Sequence, residues 1–281
     1  MSKSISILMT YAPRRRQLKN TLQSYAHWYS DIKDEVELVV VNDTPEEPGE
    51  LEMVLEKFCP FDYKIHTVDR SRQEFRNPGV LYNLAAAMAG AKLLHITNPE
   101  NMHMGPILKD ALEKHSGDSM YSVYGCKTLW DMPPDFLEIL GSETKYVDIF
   151  CFNGWYQHSK YNHRLLNFAT VISAKGFYAM GGFDSRFQNG IGLDDNDFIE
   201  EVIKNEFELR VVDDTYAAHQ PHSRGHWMSN DGVENNERQY LNKWGRHAIP
   251  AFPIGKEREH FDRMESHADR SIVYLPIMRM P

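Results

Sequence analysis

The sequence predicts an α/β fold, a mixed, mostly parallel central sheet with flanking helices, and three observations carry that reading. Short β-branched runs alternate with segments of helical spacing through the first third of the chain. Two of these runs end abruptly in polar residues, "VVNDT" at Val40–Thr44 and "TNPEN" at Thr97–Asn101. Strands joined through helices run parallel and collect ligands at their carboxyl ends. No apolar run approaches the roughly 18 residues that a membrane span requires.

The elements follow in order. Ile5–Met9 reads as the first strand, and Arg15–Tyr25 as a helix with Leu18, Leu22 and Tyr25 on one face. "VELVVVND", Val36–Asp43, is a second strand, after which "TPEEPGE" breaks the chain. Tyr63–Val68 is a weaker third strand. Asn77–Ala89 is a helix with Pro78 near its start and Gly90 just past its end. Lys92–Thr97 is the fourth strand. Beyond about Tyr124 the pattern loosens into aromatic and glycine-rich loops. A helix opens near Asp195, Glu208–Val212 is a strand, and Glu234–Trp244 a helix. No repeat or linker divides the chain, so residues 1–249 are expected to form one unit, with 250–281 a tail along its surface.

A chain of 281 residues buries a substantial core, and 42% hydrophobic with 25% charged residues is ordinary for a globular protein. The net charge of −9 argues against broad nucleic-acid binding. "PRRR" at Pro13–Arg16 is a local exception that also reads as a solvated helix start. Cys59, Cys126 and Cys151 lack metal-ligand spacing, which predicts free thiols in a reducing compartment. The apolar run Ile5–Met9 is too short for a secretory signal, and a cytoplasmic location is expected.

The most specific stretch is Met180–Glu201, "MGGFDSRFQNGIGLDDNDFIEE". Its glycines suit tight turns, and one of its aspartates suits a helix cap. A cap does not explain Asp194, Asp195 and Asp197 together, whose mutual repulsion calls for a cation or polar ligand nearby. "GGFDSRF" (Gly181–Phe187) and "GIGLDDND" (Gly190–Asp197) resemble segments of the GT-A-fold glycosyltransferases of family 2 and their galactosyltransferase-like relatives. The resemblance implies a GT-A-like, Rossmann-like fold, with a nucleotide-binding half over 1–115 and an acceptor and catalytic half over 116–249. It makes Asp195 the general base that takes the acceptor hydroxyl's proton, and Asp194 a binder of acceptor hydroxyls.

The first third is similar to the same family. "SISILMTYAPRRRQLKNTLQSY" resembles its opening strand, turn and helix, with one residue more in the turn. This places Thr10, Tyr11 and Arg14 at the nucleotide, Tyr11 by stacking on the base. "VVVNDT" places Asp43 on the base or ribose. "FRNPGVLYNLAAAMAGAKLLHIT" carries across Arg76, Asn77, Gly79 and Asn83.

By the same resemblance "NPE" stands where two aspartates usually hold a divalent metal. Asn98 offers a neutral amide oxygen and Glu100 a carboxylate, both suited to Mn²⁺ or Mg²⁺. A turn after a strand is the plain alternative. His103, three residues on, has a structural or a phosphate role open to it. "AAHQPHSRGH" (Ala217–His226) is similar to segments that complete such sites, with His219 first and His222 second. His219, His222 and His226 also suit zinc by ligand type, though their spacings fit no common structural zinc site. Arg224 beside them suits a diphosphate. In "FNGWYQHSKYNHR" (Phe152–Arg164), Trp155, Tyr156 and His158 are sugar-binding candidates or the aromatics of a core loop.

The expected function is metal-dependent transfer of a sugar from a UDP-sugar to an acceptor hydroxyl, with inversion. Retaining enzymes share the fold, so the stereochemical outcome stays open. The alternatives are a metal-dependent phosphoester hydrolase and a non-catalytic nucleotide-sugar-binding relative. The donor sugar and the oligomeric state are not specified by the sequence, and a glycan, a lipid-linked sugar, a small glycoside and a modified nucleobase all stay open as the acceptor.

Overall fold

The computed structural model of the protein describes residues 3–43, 49–69, 77–129, 140, 155–162, 164–222, 230–248 and 273–274. The strands are β1 (Ile5–Tyr11), β2 (Val36–Asn42), β3 (Asp62–Thr67), β4 (Leu93–Thr97), β5 (Asn101–His103), β6 (Met120–Thr128), β7 (Trp155–Gln157), β8 (Ala169–Ser173), β9 (Glu208–His219) and β10 (Val273–Tyr274). The helices are α1 (Arg15–Tyr29), α2 (Glu50–Phe58), α3 (Gly79–Met88), α4 (Ile107–Lys114), α5 (Ala174–Met180), α6 (Asp194–Lys204) and α7 (Asn230–Trp244). The strands form one sheet in the order β10-β9-β6-β8-β4-β1-β2-β3, with β5 on β9 and β7 on β6. Its longer ladders are parallel: β3, β2, β1 and β4 on one side, and β6 with β9 on the other. β8 lies antiparallel to both neighbours and joins the two sets.

Alternation along β1 divides the core. Ile5, Ile7, Met9 and Tyr11 pack with α1 and α2 on one face, while Leu8 packs with Val39, Val41 and α3 on the other. Helix α1 runs to Tyr29 because Leu18, Leu22, Tyr25 and Tyr29 continue one buried stripe. α2, α4, β6 and β8 lie outside the elements expected from sequence. β8 is buried at all five positions, so it carries no alternation to read.

The strand expected to end at Val212 continues to His219. Its pairing with β6 jumps from Tyr124–Val212 to Gly125–Tyr216, so Asp213–Thr215 bulge out of the ladder. That polar bulge masks the strand in the sequence. Asp213 is nonetheless buried, and accepts hydrogen bonds from the backbone N–H and hydroxyl of Ser159.

Arg210 of β9 is fully buried and pairs with Asp110 of α4 at 2.7 Å, with Tyr124 also donating to Asp110. Of the expected tail, Val273–Tyr274 adds an antiparallel edge to β9 at Arg210–Val211. No helix among the described residues is long and apolar enough to cross a membrane. Cys59 and Cys126 are free thiols, and Cys151 lies outside the described residues.

Candidate functional site

Three segments meet at the carboxyl edge of the parallel strands. The first is the turn after β4. The Asn98 amide oxygen accepts a hydrogen bond from the Tyr82 hydroxyl, and Glu100 leads directly into β5. β5 pairs with the end of β9, setting Asn101 opposite His219.

Glu100, His219 and His222 come together, each able to offer one ligand atom, all within 4.8 Å of one another. His222 Nε2 lies 3.6 Å and His219 Nε2 3.9 Å from Glu100 Oε1. One carboxylate and two imidazoles form a donor set that suits Mn²⁺ and also zinc. The neutral Asn98 stands beside this set, already hydrogen-bonded to Tyr82.

Helix α1 braces the cluster from behind. Thr21 donates to the Pro99 carbonyl at 2.7 Å, Asn20 to the Gln220 side chain at 2.8 Å, and Gln17 to the Pro221 carbonyl at 2.8 Å. His226 and Arg224 lie outside the described residues, as does Arg76.

The second segment is the loop from Gly181 into α6. Gly181 ends α5 at φ 88°, and Gly182 follows at 68°. Gly192 and Leu193 are also left-handed, at φ 68° and 65°. For a leucine that conformation is strained, and here it turns the chain into α6 with Asp194 and Asp195 as its first two residues. Negative charge is favoured at a helix N-terminus.

Asp194 is 7% exposed, and its Oδ2 is buried without a hydrogen-bond partner among the described residues. Burial pushes its pKa above the usual carboxylate range, and the adjacent Asp195 charge pushes the same way. Burial raises Asp195 too, opposed by the Asn167 amide. Asp197 belongs elsewhere. It receives Lys243 and the Trp244 indole at 2.8 Å, an anchor for α7 that removes it from the acidic cluster.

The third segment is Tyr82 on α3. Its pKa is raised by burial and, further, by the charges of Asp195, Glu100 and Asp194. Tyr82 thus lies close to Asn98 and Glu100 and also to the Asp194–Asp195 pair. The sequence did not single it out, and helical spacing alone marks it only as a core position.

Other expected residues fall differently. Tyr11 is 2% exposed within the α1–α2 core, so its ring is not available for stacking. Asn83 exchanges both amide hydrogen bonds with the Phe183 backbone, at 2.8 and 2.9 Å. Asn77 accepts from the Gly79 N–H and donates to the Gly192 carbonyl. Both asparagines therefore hold the acidic loop against α3.

Thr10, near the end of β1, lies beside the Tyr82 hydroxyl. Arg14 stands just before α1, its Nε buried without a partner among the described residues. Asp43 follows β2, and its N–H donates to the Tyr11 carbonyl. Tyr156 packs against Phe168 and His219, beside the candidate ligands. Trp155 lies under the Lys127 ammonium, and His158 is 3% exposed and stacked on Tyr161, a core-loop role. His103 is fully buried against Tyr29 and His95, a structural position.

No known family profile and no curated protein matches the sequence. Solved structures do match in fold. The mannosyltransferase PcManGT from Pyrobaculum calidifontis, in complex with GDP-Man and Mn²⁺, aligns over 93% of this chain and 69% of its own, with TM-score 0.55 and 14% identity. GalNAc-T7 with UDP, GalNAc and Mn²⁺ aligns over 93% and 55%, with TM-score 0.56 and 13% identity. S. aureus TarS 1-349 aligns over 77% and 60%, with TM-score 0.53 and 16% identity. The chain thus spans 55% to 69% of these structures' lengths. At such identities the likeness defines the fold: this chain has the GT-A fold.

Proposed function

We propose that the protein is a metal-dependent glycosyltransferase that moves a sugar from a UDP-sugar to an acceptor hydroxyl with inversion. The observation that carries this is the clustering of Glu100, His219 and His222, together with the nearness of both Glu100 and the Asp194–Asp195 pair to Tyr82. Glu100, His219 and His222 would hold Mn²⁺ or Mg²⁺, with Asn98 contributing its amide oxygen. Such an ion supplies Lewis-acid neutralisation of a leaving diphosphate.

Asp195 takes the acceptor's proton as that hydroxyl attacks the anomeric carbon, and Asp194 binds the acceptor. Thr10, Arg14 and Asp43 face the nucleotide, with residues 1–115 forming its half of the site and 116–249 the acceptor's. Arg76 and Arg224 are diphosphate contacts in this reading, and Tyr156 a sugar contact. The free thiols of Cys59 and Cys126 suit a cytoplasmic location.

The test is a screen of UDP- and GDP-sugars for metal-dependent nucleotide release, with and without glycan, lipid-linked and small-glycoside acceptors. Release that requires Mn²⁺ and is lost on Glu100→Ala is expected. Phosphate release from simple esters, with no transfer from any nucleotide-sugar, would overturn the assignment.

A further inference from the structure

We propose that Asn167 is a positioning residue that holds one oxygen of Asp195 and leaves the other to receive the acceptor's proton. The proposal rests on the reading of Asp195 as base. Asn167 precedes β8 and is 3% exposed. Its Nδ2 donates to Asp195 Oδ1 at 2.9 Å. Its Oδ1 accepts from the Tyr121 hydroxyl at 2.8 Å and the Thr170 hydroxyl at 3.1 Å.

This orientation has a chemical reason. An ionised carboxylate only accepts, so an amide oxygen facing Asp195 would set two acceptors against each other. The NH2 of the amide must therefore point at Asp195, leaving its oxygen to accept from the Thr170 hydroxyl and from the Tyr121 hydroxyl, which lies closer to it than to the Leu165 carbonyl at 3.2 Å. Burial keeps the Tyr121 phenol protonated and able to do so. Two strands of the sheet, through Tyr121 of β6 and Thr170 of β8, thus fix one amide, and that amide fixes the carboxylate at the start of α6.

Asn167 also tunes the base. Burial of Asp195 favours its neutral form, and a donor on Oδ1 favours the ionised form that base catalysis needs. Among the described residues, the titratable groups facing Asp195 are Asp194 in the same turn, Tyr82 on α3 and Tyr121 on β6. Asn167 is a neutral donor supplied to this group.

The experiment reads the carboxylate directly. ¹³C-aspartate NMR titration of the intact protein, with the Asp195 signal assigned by its loss in Asp195→Asn, compares wild type with Asn167→Leu. The Asp195 midpoint should rise by about one pH unit or more. With UDP-glucose, UDP-galactose and UDP-GlcNAc as donor probes and water as acceptor, the acid limb of kcat should move up equally, with donor KM unchanged. Tyr121→Phe and Thr170→Val should each give a smaller shift in the same direction, which keeps the test open if Asn167→Leu does not fold. A lower kcat with an unmoved midpoint would make Asn167 merely structural and overturn the proposal. Unimpaired turnover in Asp195→Asn would instead remove Asp195 as base.

Discussion

At the scale of single residues, the Asp194–Asp195 pair has a thermodynamic signature. Both carboxyls are raised by burial, Asp194 further by its neighbour's charge. The folded chain therefore holds their protons more tightly than the unfolded chain does. The sign follows: stability falls as pH rises from the ordinary carboxylate range through the raised values. Asp194→Asn removes the repulsion, and should stabilise the fold at neutral pH by roughly 0.5–2 kcal/mol while raising the acceptor's KM. Thermal melts across pH, with the fall flattened in the variant, check the first part.

Asp195→Asn should lower transfer by about 10²–10⁴-fold with donor binding little changed. At the candidate metal cluster, Asn98→Asp replaces an amide dipole with a full charge, so Mn²⁺ should bind more tightly, as isothermal titration would read. These candidates were legible because acidic clusters and histidines stand out by residue type. Tyr82 and Asn167 were not, since a tyrosine at helical spacing and an asparagine before a strand look like core and turn until the fold juxtaposes them with a carboxylate.

At the scale of elements, the loop between α5 and α6 behaves as a held spring. Asn77 and Asn83 tie it to α3, and Asn236 of α7 ties it by donating to the Phe187 and Gly192 carbonyls. A Cβ at Gly190 would overlap the Asn236 amide and lie 2.7 Å from the Gly232 carbonyl. Gly190→Ala should therefore destabilise the protein by about 1–3 kcal/mol and lower activity by displacing Asp194 and Asp195. Gly49→Ala is an informative contrast: its Cβ meets nothing, and only the φ of 86° opposes it. Chemical denaturation of the two variants, with activity measured on each, separates clash from backbone strain. β1 was legible as a short apolar run, and β2 and β4 because their apolar runs end at polar turns. β8 and the far half of β9 were not, the first for want of alternation and the second because Asp213–Thr215 interrupt it.

At the scale of the whole molecule, a bound cation should act as a staple. The candidate ligands come from the β4–β5 turn, from the last residue of β9 and from just beyond it, so an ion that binds only the folded chain would add to its stability. At a hundredfold excess over Kd the gain is about 2.7 kcal/mol. Adding Mn²⁺ should raise the melting temperature, and chelation should reverse the rise. Glu100→Ala should show neither effect.

The hydrogen bond between Asn20 and Gln220 bears on how this protein comes into being. Its partners lie 200 positions apart in the chain. During synthesis the brace of α1 is made early and waits, unpaired, until the residues after β9 leave the ribosome. Long-range closures of this kind are slow, because chain entropy is lost before the contact forms. The candidate cation site is therefore completed late in folding, and a nascent chain that stops short of His222 has a nearly complete parallel sheet but only Glu100 and His219 of the three clustered ligand candidates.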